Sequence, residues 1–114
     1  MVEFALLGFI VAMTGGGVLA IRGLRRQRVS LPMGLAHGAL ALTAVGLLAG
    51  RVFNGPRVIL FNSALLLFAL AGVGGLLLFV FRLDKEAPPM VVIVLHALLA
   101  IAGLLLLITG VVRY

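Results

Sequence analysis

The chain is 114 residues long, 64% apolar and 11% charged, with a mean hydropathy of +1.35; that much apolar surface cannot be buried by a water-soluble unit of this size, so a soluble enzyme is excluded and the bilayer is the solvent. The net charge of +6, nine Lys and Arg against three acids, reads as a topology signal and not as nucleic-acid binding, which needs more polar surface. Cysteine is absent, which removes disulfides, thiolate zinc, iron-sulfur clusters and a covalently attached c-type haem, and leaves non-covalent cofactors open.

A spanning helix needs roughly 20 apolar residues, and four such stretches follow one another at about residues 3–21, 31–50, 58–81 and 89–112. The first has no basic leader, only Glu3, and no clear cleavage site, so it is expected to stay as a helix. The connectors, residues 22–30, 51–57 and 82–88, carry the charges and the Gly/Pro punctuation that end helices at an interface. The expected fold is an all-α, up-and-down bundle of four transmembrane helices forming one transmembrane unit. Its first and third connectors share a side and hold Arg22, Arg25, Arg26, Arg28, Arg82 and Lys85, against Arg51, Arg57 and Arg113 opposite. That bias puts those two connectors in the cytoplasm and both termini outside, in what is expected to be a prokaryotic cytoplasmic membrane.

Residue i compared with residue i+59 reveals two repeated hairpins, about 3–50 and 58–112. Ala5-Leu6-Leu7, Phe9 and Ala12 fall on Ala64-Leu65-Leu66, Phe68 and Ala71; Gly15-Gly16 falls on Gly74-Gly75, and His37 on His96. A two-helix repeat preserves direction, so the halves are expected to be related by a pseudo-two-fold axis along the membrane normal.

His37 and His96 are the only histidines, and both lie inside spans, about 9 and 10.5 Å of helix rise from the basic side. Intramembrane ionisable groups are costly and point to function. Small residues follow each on its own helix face, Ala41 after His37 and Ala100 after His96. With the second and fourth helices diagonal in the bundle, the two imidazoles are expected to ligate one iron between them. Two imidazoles alone are too few for a usual zinc site but complete the axial set of a porphyrin iron. Gly15, Gly16, Gly74 and Gly75 lie at the same level and are expected to let the flat ring approach the backbone. Arg25, Arg26, Arg28 and Lys85 are the expected partners of the haem propionates.

Taken one at a time, a membrane histidine is most often a hydrogen-bonded packing residue, and glycines most often let helices approach. Their conjunction at one depth favours the cofactor. On these residues the chain resembles the small b-type cytochromes of the membrane, in which axial histidines from two of four helices hold haem non-covalently. The resemblance implies one haem b per chain, because the better-known members carry four histidines and two haems. It implies an electron carrier exchanging with quinol or a partner protein, more than a stand-alone enzyme, with partner subunits or a homodimer as further expectations. The rival is a haem-free structural or assembly subunit of a membrane complex. A small multidrug-type exporter has four spans too, but needs a carboxylate within its first span, and Glu3 lies at the edge.

Overall fold

A computed structural model describes residues 2–114. Four helices fill it: α1 (Val2–Leu24), α2 (Leu31–Asn54), α3 (Ile59–Leu83) and α4 (Met90–Arg113). Each is long and apolar enough to cross a membrane, and the helix is the structure that satisfies every main-chain N–H and C=O without water. The helices run one to four residues beyond the apolar stretches at several ends, because they continue through Arg22 and Arg51 until the main chain itself turns.

Those turns repeat as faithfully as the sequence. At the end of α1 the Gln27 N–H donates to Arg22 C=O and the Arg26 N–H to Gly23 C=O; at the end of α3 the Glu86 N–H donates to Phe81 C=O and the Lys85 N–H to Arg82 C=O. Both are Schellman closures, and Arg26 and Lys85 each hold the left-handed conformation at φ 58°. The following helices begin at Leu31 and Met90, again 59 residues apart. Ser30 caps α2 by accepting from the Met33 N–H, with Pro32 in its first turn, where the missing N–H costs little.

Each hairpin packs on itself, α1 on α2 and α3 on α4, and the square closes through α1 with α4 and α2 with α3. Helices α2 and α4 are therefore diagonal, as are α1 and α3. In lipid the hydrophobic effect does not drive helices together, so close packing of small residues has to. Ala5, Ala64, Leu48 and Leu107 are fully buried, and Phe9 stacks on Phe68 across the diagonal, ring centres 3.8 Å apart and planes 5° off parallel. With the exception of Ile93, the buried residues lie in the half of the bundle nearer the termini. The other half, toward the basic connectors, encloses a cavity of about 430 Å³.

Candidate functional site: a histidine pair beside a basic cavity

His37 and His96 each stand six residues into their helices, about 9 Å of rise from the basic end, and so at equal depth. Their rings face across the α2–α4 diagonal with centres 6.3 Å apart and planes at 85°. Each is tethered to the neighbouring helix of its own hairpin. His37 Nδ1 lies 2.7 Å from Ala12 C=O, and His96 Nδ1 lies 2.7 Å from Ala71 C=O. A carbonyl only accepts, so both Nδ1 atoms carry the hydrogen and donate it. The lone pair of each ring is thereby left on Nε2.

The glycines explain how an imidazole fits there. A Cβ on Gly16 would come within 2.7 Å of His37 Cε1, and one on Gly75 within 3.1 Å of His96 Cε1. A Cβ on Gly74 would lie 3.4 Å from the His96 Cβ, an ordinary contact, whereas one on Gly15 would meet nothing within 4 Å. Gly16 and Gly75 therefore make room for the histidine rings. The aromatic groups resting on Gly16 and Gly75 are the chain's own imidazoles. Ala41 and Ala100, one turn beyond the histidines, are half-buried.

The cavity begins at His37 and Gly75 and opens toward the connectors, with Leu78 and Phe79 among its apolar walls. Arg26, Arg28 and Lys85 line it; Arg25 is exposed and does not. Arg82 does line it, and its Nε donates to Val29 C=O at 2.7 Å, pinning the first connector to α3. Sequence reasoning used Arg82 only as a topology charge. Its signal was a mismatch in the repeat, where Arg82 falls on Gly23.

The threonine hydroxyls serve their own helices: Thr14, Thr43 and Thr109 donate to the carbonyls of Ile10, Ala39 and Leu105. Among the described residues no three His, Cys, Asp or Glu side chains gather into a metal-binding group. No protein-family model, curated protein or solved structure matches the chain.

Proposed function

We propose that the chain is a membrane b-type cytochrome that holds one haem b non-covalently between His37 and His96 and exchanges electrons with quinol or a partner protein. The geometry of the imidazole pair carries this reading. His37 and His96 face each other across the bundle with ring centres 6.3 Å apart, close enough that the two imidazoles would be able to hold one metal between them.

The second support is the pair of tethers. A ligating histidine ordinarily gives its other N–H to a carbonyl or carboxylate, which fixes the tautomer and raises the basicity of the ligating nitrogen. Ala12 and Ala71 do this here. A haem held by both His37 and His96 would supply one-electron chemistry with both side chains committed to it, which favours electron transfer over oxygen chemistry. Phe9 and Phe68 wall the site off on the side of the termini, while Arg26, Arg28 and Lys85, with Arg82 beside them, offer cations to the carboxylates on the other. The charge bias favours that basic end in the cytoplasm and both termini outside, in a prokaryotic membrane.

The test is a reduced-minus-oxidised spectrum of the detergent-purified protein with a haem assay. A low-spin haem at one per chain is expected, and its loss in both His37→Ala and His96→Ala. Either variant keeping full haem and an unchanged low-spin spectrum rules out the ligation. A wild-type chain from haem-replete cells with no Soret band returns the reading to a haem-free subunit of a membrane complex.

A further inference from the structure

The two hairpins part company where the cavity opens. Between α1 and α4, Gly23 faces Ile93: the isoleucine is buried, and its Cδ1 lies 3.1 Å from where a Cβ on Gly23 would stand. That side is filled. The repeat puts Arg82 where Gly23 was and Gly34 where Ile93 was, so the matching place between α2 and α3 has the glycine on the other helix. All four of these residues line the cavity, but a Cβ on Gly34 would meet nothing within 4 Å. Leu35 and Val80, on the same stretches of α2 and α3, are exposed, so a lipid lying along this seam would pass beside Gly34 and Arg82.

Charge has diverged at the same spot. Arg26 has Lys85 as its repeat counterpart, but Arg28 falls on Ala87 and Arg82 on Gly23. Of the four cations that line the cavity, these two lack a counterpart, and they are neighbours, because Arg82 Nε is bonded to the carbonyl of Val29, next to Arg28. With Nε committed, the two terminal nitrogens of Arg82 remain for an anion, and the planar guanidinium fork suits a phosphate.

We propose that the side mouth between α2 and α3 is a binding site for an acidic phospholipid, its phosphate held by Arg28 and Arg82 and an acyl chain lying over Gly34 against Leu78 and Phe79. Acidic lipids concentrate where cations meet the membrane surface, and this mouth joins two cations to an apolar cleft within one helical turn. The site shares the basic cavity that ends at His37, and here Arg28 and Arg82 serve the lipid phosphate and not a haem carboxylate, so the proposal goes beyond the haem reading without resting on it.

Native mass spectrometry of the delipidated protein, offered phosphatidylglycerol and phosphatidylcholine of matched chains, tests this. Phosphatidylglycerol is expected to be retained about tenfold more strongly. Arg28→Ala, which breaks no bond of the fold, and Arg28→Ala with Arg82→Ala are expected to remove the preference. Arg22→Ala with Arg25→Ala removes as much charge outside the cavity and is expected to keep it. Gly34→Ile, which gives the first hairpin the residue of the second, is expected to lower phosphatidylglycerol retention at constant charge. Equal binding of the two lipids overturns the proposal, as does an Arg22/Arg25 variant that loses as much as the Arg28 variant, or a Gly34→Ile protein that binds like wild type. A haem-free preparation that still selects phosphatidylglycerol leaves it standing.

Discussion

His37 donates from Nδ1 to the main-chain oxygen of Ala12 over 2.7 Å, and 59 positions along His96 does the same to Ala71. These bonds join the two helices of each hairpin at the level where the packed half of the bundle ends and the cavity begins. An imidazole without a partner in lipid carries the full cost of a desolvated polar group. A bond to the adjacent helix removes that cost and fixes the ring at the same time. Position, tautomer and depth of both histidines thus follow from one local arrangement, made twice.

The arrangement needs no side chain at Gly16 and Gly75, and the two differ in degree. Gly16→Ala puts a methyl 2.7 Å from His37 Cε1, and Gly75→Ala one at 3.1 Å from His96 Cε1. Neither ring can yield freely, because its Nδ1 is bonded to a carbonyl. Overpacking of this kind costs about 1–3 kcal/mol, and Gly16→Ala is expected to be the worse of the two in thermal unfolding in detergent. Gly15→Ala meets open space and is expected to be neutral or, through helix propensity, stabilising by up to about 1 kcal/mol. Gly15→Ala destabilising as much as Gly16→Ala defeats this account.

Arg26 and Lys85 supply the next prediction. Both hold φ 58°, a conformation that costs a residue with a Cβ on the order of 1 kcal/mol and costs glycine almost nothing. Arg26→Gly and Lys85→Gly are each expected to raise thermal stability by about 0.5–1 kcal/mol, despite the greater freedom glycine gives the unfolded chain. Arg25→Gly, one residue earlier and outside the left-handed region, is expected to bring no gain. A basic residue in both strained places, each lining the cavity, fits a charge retained for a ligand at the expense of the turn. Equal unfolding temperatures for all three variants count against it.

The sequence carried the four helices, because apolar length and basic punctuation are one-dimensional signals, and it carried the equal depth of His37 and His96 through the repeat. It could not show what the imidazoles bond to. The acceptors are main-chain oxygens, and Ala12 and Ala71 look like any small residues of a packed face. Gly16 and Gly75 were legible as special but not as the floor beneath a histidine, since that depends on the rotation of α1 against α2 and of α3 against α4. Arg82 escaped because a search for repeats rewards identities, while its importance lies in departing from Gly23. The helix ends ran past the apolar stretches for a related reason: the chain stops being helical where Arg26 and Lys85 turn left-handed, not where the first charge appears.

The packed half of the bundle has its own sensitive glycine. A Cβ on Gly110 would lie 2.6 Å from Phe61 Cε1, and Phe61 is 2% exposed, with the Arg51 guanidinium 5.0 Å from its ring centre. Held between α4 and that cation, the ring has no room to move. Gly110→Ala is expected to destabilise the detergent-solubilised protein by about 1–3 kcal/mol. Adding Phe61→Leu is expected to restore part of the loss, as coupled neighbours do. Purely additive losses in the double variant rule out the ring as the cause.

Orientation gives the last prediction, and the absence of native cysteine makes it clean. Six cations at the end of the bundle that holds the first and third connectors, against three at the other, favour the six in the cytoplasm. Phe53 is 78% exposed just before the second connector, and Arg25 is exposed in the first. In intact cells, Phe53→Cys is expected to react with a membrane-impermeant maleimide, and Arg25→Cys only after permeabilisation. Replacing Arg25, Arg26 and Arg28 by alanine leaves 6 − 3 = 3 cations against the same three, and since acidic residues contribute little to this rule, the fixed bias disappears. That variant, carrying Phe53→Cys, is expected to divide between labelled and protected populations. Labelling of Arg25→Cys in sealed cells reverses the assignment and puts the histidine end of the bundle on the outer side.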